Sequence, residues 1–468
     1  MTSGMAATSQ KFASEAGVAI LRDGGNAADA AVAAAAALNL TEPMSTGLGG
    51  DMFALFYDAQ TRKVSALNGS GRAPAGLSID LLRRQGLDPL PAHHAHTVTV
   101  PGACAGWCDL IARHGTLPLS KILEPAIYLA EQGFPVAPMA AHGWAGGRSL
   151  LKGPGARDLT IDGRAPREGE TFRNPALART LRAIAAGGKE AYYSGEPGRA
   201  VVAAVRKEGG VMTEEDLQAH RSTWVEPIST TYRGLRVWEC PPNGQGITAL
   251  LALNLLEGFD LKGQDPLGPE RWHLLIEAMR IAFADARWHV ADPELSKVPS
   301  AGLLSKDYAA KRRALFDPKR ASVDPKRGSP VAGSDTVYFC VVDGRGNACS
   351  FINSNYMGFG SGIVPAGCGF SLQNRGACFV TDPAHPNALA PRKRPYHTII
   401  PAMMFQDNKP VLSFGVMGGD MQPQGHVQVL LNMIEFGMNV QDAGEAPRFR
   451  HAPVAGVALE SGDRKSVV

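Results

Sequence analysis

The sequence predicts a layered α/β fold built on antiparallel sheets, and three observations carry that prediction. Residues 336–342 and 348–353 read as strands flanking the turn Asp343-Gly344-Arg345-Gly346-Asn347. Residues 398–405 and 411–415 pair across Asp407-Asn408 in the same way. Near the N-terminus, residues 52–57 and 64–68 form a third such pair after two helical stretches. Neighbouring strands joined by short turns make antiparallel sheets, whereas a parallel βαβ series needs a crossover at every step.

Each element has a local cause. Residues 9–22 place Phe12, Ala16, Ala19 and Ile20 on one helical face and stop at Asp23-Gly24-Gly25, a glycine terminator. Asn26 caps a second helix through residue 39, nearly all alanine and therefore packed closely against something. Leu48-Gly49-Gly50-Asp51 turns the chain into the first strand. Further helices are expected at 80–85, 119–132 and 174–186, from Glu214-Glu215 behind a Thr213 cap, and at 246–257, 269–289 and 424–436. Residues 235–239 read as a strand. Residues 297–333 hold seven Lys or Arg between Lys306 and Lys326, several prolines and few large apolar side chains after Leu315, and read as an exposed connector.

Composition bounds the function. With 468 residues, 44% hydrophobic and 19% charged, the chain suits two ordinary domains or one large layered one. A net charge of +3 on 47 basic and 44 acidic residues is too balanced to argue for nucleic acid. Seven scattered cysteines without a CxxC argue against a disulfide framework or zinc site. Residues 27–40 are the most apolar run and are too short to span a bilayer. The N-terminus lacks a charged region followed by an apolar core. The expectation is a soluble cytoplasmic protein with no membrane partner.

Most motif readings are plain. Glycine clusters at 47–50 and 69–71 complete neither GxGxxG nor GxxxxGK[ST], so tight turns are expected. His93, His94 and His96 lack an acidic or cysteine partner nearby and read as a solvated loop rather than a metal site. No GxSxG elbow is present. No metal or cofactor is called for. Thr336 differs, because it heads a strand directly after the connector. If the bond between Asp335 and Thr336 is cut, Thr336 carries a free α-amine beside its own hydroxyl, and such an amine, with a pKa of about 8, can serve as general base. From spacing alone an ordinary strand threonine remains the alternative.

A resemblance extends over nearly the whole chain. The run TVYFCVVDGRGNACSF, then GFGSGIV, then GFSLQNRGACF resembles the nucleophile region of γ-glutamyltranspeptidases. In matching order stand SEAGVAILRDGGNAADAAVAAAAAL, EPMSTGLGGDMF, VTVPGACAGW, EPAIYLAEQGFPV, KRPYHTIIPAM and GVMGGDMQPQGHVQVLLNMIEFGMNVQDAGEAPRFRH. The resemblance implies the αββα sandwich of the N-terminal-nucleophile hydrolases and a proenzyme that cuts itself between Asp335 and Thr336. Residues 1–335 and 336–468 would be the large- and small-subunit portions of one domain. It implies Thr336 as nucleophile, Ser354 as the hydroxyl that hydrogen-bonds it, and Gly418 and Gly419 as oxyanion-hole donors.

The departures bear on substrate. The family's γ-glutamyl enzymes hold an α-carboxylate with an arginine and paired serines, and an α-amine with an acidic residue. Here the arginine position falls on Ser70 with Arg72 two residues on, the serines are His397 and Thr398, the acidic position is Cys378, and an asparagine position is Tyr356. The next residue after the nucleophile, elsewhere a second threonine, is Val337. GSGRAP, FINSNYMGFGSG and GGDMQPQGHVQ look more like the oxamate-amidohydrolase subgroup. A small amide bearing a carboxylate, met by Arg72, Arg375 and His397, is expected over a γ-glutamyl substrate; Asp420 is the one residue that restores an ammonium site. The alternatives are a true γ-glutamyltransferase or glutathione hydrolase, and a catalytically dead relative. Cleaved protomers could form a homo-oligomer. The family's small subunit runs roughly half as far again, so strands beside the nucleophile are expected to be missing and their neighbours' backbone groups unpaired.

Overall fold

Asp343 shows why the central hairpin forms. Its Oδ1 accepts the backbone N–H groups of Arg345 (2.9 Å) and Asn347 (3.0 Å), and its Oδ2 accepts Asn347 Nδ2 at 2.7 Å. The same carboxylate takes the N–H of Ala27 at 3.1 Å, so one side chain folds the turn and pins it to a helix N-terminus. The coordinates are a computed structural model and describe residues 4–321, 335–452 and 456–460.

Fourteen strands are described: β1 (Gly4–Ala7), β2 (Asp51–Asp58), β3 (Lys63–Gly69), β4 (Phe134–Pro135), β5 (Thr171–Phe172), β6 (Thr223–Val225), β7 (Ile228–Tyr232), β8 (Leu235–Glu239), β9 (Asp335–Asp343), β10 (Ala348–Tyr356), β11 (Ala402–Gln406), β12 (Lys409–Phe414), β13 (Phe449–Ala452) and β14 (Gly456–Leu459). One sheet runs β1-β9-β10-β2-β3-β6, and a second runs β12-β11-β8-β7. Every pairing within both is antiparallel. Each sheet mixes strands from before and after residue 335. Strand β9 pairs with β10 along its length, and with β1 on its other flank over Cys340–Asp343.

Strand alternation sorts side chains into layers. Met52, Ala54 and Phe56 of β2 and Val337, Phe339 and Val341 of β9 face the first helical layer. That layer includes the helix Ala27–Thr41, all fifteen residues of which are buried. Its alanines let the helices Lys11–Arg22 and Leu119–Gln132 and the sheet approach closely, and Asn26 caps it through a reciprocal box with Asp29. Phe53, Leu55 and Ile352 face the other way and meet Cys240, Met403 and Phe405 of the second sheet. Val237, Ala402, Met404 and Phe414 then pack on the helices Gly246–Leu256, Pro269–His289 and Met421–Ile434. The order is helices, sheet, sheet, helices, with the nucleophile candidate on an inner strand.

Three expectations need correction. The supposed connector is helical at Ser300–Leu303 and Lys306–Arg313. Its basic residues are anchored rather than free: Arg313 donates to the carbonyls of Asn254 and Leu255 at the C-terminal end of the helix Gly246–Leu256, and Lys306 Nζ reaches Glu257 Oε2 at 2.6 Å. Cations suit a helix C-terminus, where carbonyls are unsatisfied. Residues 322–334 lie outside the described part. Strand β11 begins at Ala402, not 398, because Pro401 has no N–H to give a ladder and the preceding residues turn inward to the site described below. The histidine loop is only partly solvated: His93 and His94 are half-buried, whereas His96 is buried with its Nε2 2.7 Å from Gln85 Oε1, and burial lowers its pKa to about 4. All seven cysteines are free.

Candidate active site

Thr336 lies at the start of β9, 3% exposed, and among the described residues its hydroxyl has two side-chain neighbours. Ser354 Oγ on the adjacent β10 is 3.2 Å away, and Gln422 Nε2 donates from 3.4 Å. The Ser354 position follows from a register shift in β10: Val337 faces Asn353, but Asp335 faces Tyr356. The extra residue re-aims the strand, as bulges beside functional sites do. Ser354 Oγ also accepts the Tyr356 N–H at 2.8 Å, and Tyr356 takes a φ of 77°, strained for a non-glycine residue.

Gln422 sits in the first turn of the helix Met421–Ile434. Its Oε1 accepts the Ile400 N–H at 3.0 Å, which orients the amide so that its Nε2 faces Thr336. Gly418 (φ 103°) and Gly419 (φ 60°) form the turn into that helix. A side chain at either φ would be strained, so the close turn depends on glycine. Among the described residues, neither glycine N–H meets an acceptor, although the carbonyls of both accept from the following turn. Buried Gln245 locks the turn from behind. Its Nε2 donates to the Gly419 carbonyl at 3.0 Å and to the Thr398 carbonyl at 2.7 Å, while its Oε1 accepts the Tyr396 hydroxyl at 2.7 Å.

Arg375 is fully buried on the same side. Nη1 donates to Thr398 Oγ1 at 2.7 Å and Nη2 to Ser354 Oγ at 3.4 Å, and the guanidinium lies 4.3 Å from the centre of the Tyr356 ring. No carboxylate pairs with it among the described residues, and its Nε has no acceptor. A buried cation without an anion is costly.

His397 and Asp51 make a second buried pair, Nε2 to Oδ2 at 3.1 Å. His397 Nδ1 accepts the Ile399 N–H at 3.4 Å, so Nε2 carries the hydrogen and donates to Asp51. Burial, with the Arg375 and Arg394 charges, holds the imidazole well below its ordinary pKa. Asp51 is pushed up to about 6 by burial, against the lowering effects of Arg375, the Gly71 and Gly102 N–H groups, and Arg394. Asp51, Gln245 and Gln422 were not singled out from the sequence. Asp51 and Gln422 stand within GGDMF and GGDMQPQGH, but nothing local marks a glutamine as a hydrogen-bond bridge.

Three expectations change here. Arg72 is not free to meet a substrate: its Nη2 contacts both Glu294 oxygens, at 2.8 and 2.7 Å. His397 carries no positive charge for a carboxylate, because it is buried and neutral. Asp420 is also committed, to Arg287 Nη2 at 2.8 Å. Burial raises the Cys378 thiol, which stays neutral. Thr398, Tyr356, Cys378, Asp420 and Arg287 line one cleft of about 630 Å³, whose outer wall is apolar, with Leu82, Leu90, Trp288, Phe379 and Leu389. The described residues contain no group of three or more potential metal ligands, and no described helix is long and apolar enough to cross a membrane.

Comparison with known proteins agrees over the length of the chain. The gamma-glutamyltranspeptidase family profile matches residues 13–468. The glutathione hydrolase-like YwrD proenzyme of Bacillus subtilis is 39% identical over 450 residues, covering 96% of this chain and 85% of that protein. The oxamate amidohydrolase proenzyme of Klebsiella pneumoniae is 36% identical, with 96% and 85% covered. Among solved structures, the cephalosporin acylase from Bacillus halodurans superposes with a TM-score of 0.89 at 46% identity, covering 96% of this chain and 83% of that one.

Proposed function

The chain belongs to the gamma-glutamyltranspeptidase family, enzymes of the N-terminal-nucleophile type, and on that premise we propose that it is a self-cleaving amidohydrolase acting through Thr336 on an amide that bears a carboxylate. In this reading the layers described above are the αββα sandwich of the N-terminal-nucleophile hydrolases. Cleavage before Thr336 frees its α-amine, which takes the hydroxyl proton as Oγ1 attacks the amide carbonyl. Ser354 and Gln422 hold the hydroxyl in line. The two unengaged N–H groups of Gly418 and Gly419 receive the negative charge that develops on the carbonyl oxygen. The amine proton passes to the leaving nitrogen, an acyl ester remains on Thr336, and water then releases it.

The observation that carries the substrate class is the buried Arg375 beside Ser354 and Thr398, ion-paired to no carboxylate among the described residues. A substrate carboxylate supplies the missing charge, and arginine suits bidentate contact with it. A γ-glutamyl ammonium finds no free anion among the described residues of the cleft, since Asp420 is paired with Arg287 and Cys378 is neutral. Relatives include enzymes named for oxamate and for glutathione, so family membership alone does not choose between them. The test compares kcat/KM for oxamate-like amides and glutathione. A preference for glutathione of about tenfold, roughly 1.4 kcal/mol in transition-state binding, refutes the charge argument.

The apolar outer wall of the cleft favours a second reading within the same chemistry, an amide whose leaving group is a larger, partly apolar amine. Relatives named as acylases fit that reading. It predicts that kcat/KM rises as apolar atoms are added to the amine side of a fixed acyl group, and a flat series removes it.

A further inference from the structure

A second cleft, of about 550 Å³, opens at the rim between the two sheets. Strands β3 and β6 of one sheet and β8 and β11 of the other form its walls. It lies at the far end of β3 from the candidate active site. Lys63, at its edge, begins the strand whose other end leads to Gly71, the N–H donor to Asp51, a separation of roughly 20 Å along the strand.

Its lining combines two features. Arg62, Lys63, Arg113 and Arg236 are all exposed around it, and none makes an ion pair among the described residues. Arginines elsewhere in the chain, such as Arg164, Arg182 and Arg233, are matched with carboxylates. Glu226 is the single acid at this cleft. Between the cations stand two indoles. The Arg113 guanidinium lies 4.2 Å from the centre of the Trp224 ring, and that of Arg236 lies 5.7 Å from the centre of Trp238. The buried Trp238 Nε1–H has no acceptor within the described protein. Phe405 and Val64 close the floor.

We propose that this cleft is a binding site for a small planar aromatic anion carrying two or more negative charges, a nucleotide being the type. The charges are met by four cations that make no ion pair among the described residues. A guanidinium over an indole keeps its edge donors free for a phosphate or carboxylate. The ring is accepted between Trp224 and Trp238. The volume lies within the usual range for such ligands. Neither the nucleophile nor Arg375 takes part.

The test is calorimetric titration of the full chain with ATP, with tripolyphosphate and adenosine as probes of charge alone and ring alone. Saturable one-to-one binding of ATP is expected, about tenfold or more tighter than either partial probe, and weaker at higher salt. Arg113→Ala and Arg236→Ala should each weaken it about tenfold. Both residues are exposed, so both variants should keep the amidase activity. Arg375→Gln should leave ATP binding unchanged. Tripolyphosphate binding as tightly as ATP overturns the proposal, because the ring then contributes nothing. ATP binding that survives both arginine substitutions, or no binding at millimolar ATP, overturns it equally.

Discussion

Arg375→Gln separates a substrate-binding charge from a structural one. The guanidinium is fully buried, donates to two hydroxyls and pairs with no carboxylate among the described residues. Removing it removes a desolvated charge along with two hydrogen bonds and a stacking contact on Tyr356. These contributions oppose each other, so stability by urea unfolding should change by no more than about 1 kcal/mol. Substrate binding should respond differently. Two charge-assisted hydrogen bonds to a carboxylate contribute roughly 1.5–3 kcal/mol each. Their loss lowers kcat/KM for a carboxylate-bearing amide by about a hundredfold or more. For the matched amide without the carboxylate, wild type and variant should agree within about threefold, since that substrate never met the charge. Self-cleavage should proceed in both, because no carboxylate ligand is involved. An equal loss on both substrates would show that Arg375 holds the site together, and the reasoning would fail.

Thr336→Ala should stay as one chain on denaturing gels, whereas wild type separates into fragments of about 35 and 14 kDa, the 49.5 kDa chain divided by residue number; maturation of the alanine variant would place the nucleophile elsewhere. Gln422→Met should lower kcat by about fivefold with little change in KM, the effect of one hydrogen bond of about 1 kcal/mol on the attacking hydroxyl, and a change confined to KM counts against the assignment. Asp51 binds its proton more tightly folded, with a pKa of about 6, than unfolded, so between pH 4 and 6 the folded state holds more protons and this contribution to stability declines as pH rises, by about 3 kcal/mol. His397, held neutral when folded, acts in the opposite sense, its contribution lost as pH falls below about 6.5. The stability of wild type minus that of Asp51→Asn should therefore fall across pH 4 to 6; a flat or rising difference contradicts the buried-carboxylate argument.

Much of this protein was legible along the chain. Turn chemistry at Asp343 to Asn347, the Asn26 cap and the alanine run through residue 39 are local rules, and the folded chain obeys them. The order of motifs led to the family, and the resemblance named Thr336 and Ser354, which the folded hairpin brings within 3.2 Å of each other. What lay outside reach depends on residues far apart in sequence. Arg72 and Arg375 look alike as letters, yet Glu294 takes the first, while the second meets hydroxyls and pairs with no carboxylate among the described residues. His397 looked like a cation until Asp51, 346 residues away, and full burial made it neutral. Gln245 carries no signature, and becomes a brace only because Thr398, Gly419 and Tyr396 converge on it. Hydrogen-bond propensity and periodicity act over a few residues, so the sequence by itself determined most of the elements and, through its resemblance to a family, pointed to Thr336 as the candidate nucleophile. Charge and protonation depend on solvent exclusion and on distant partners, so the electrostatics of the site were decided only when the two sheets closed on each other.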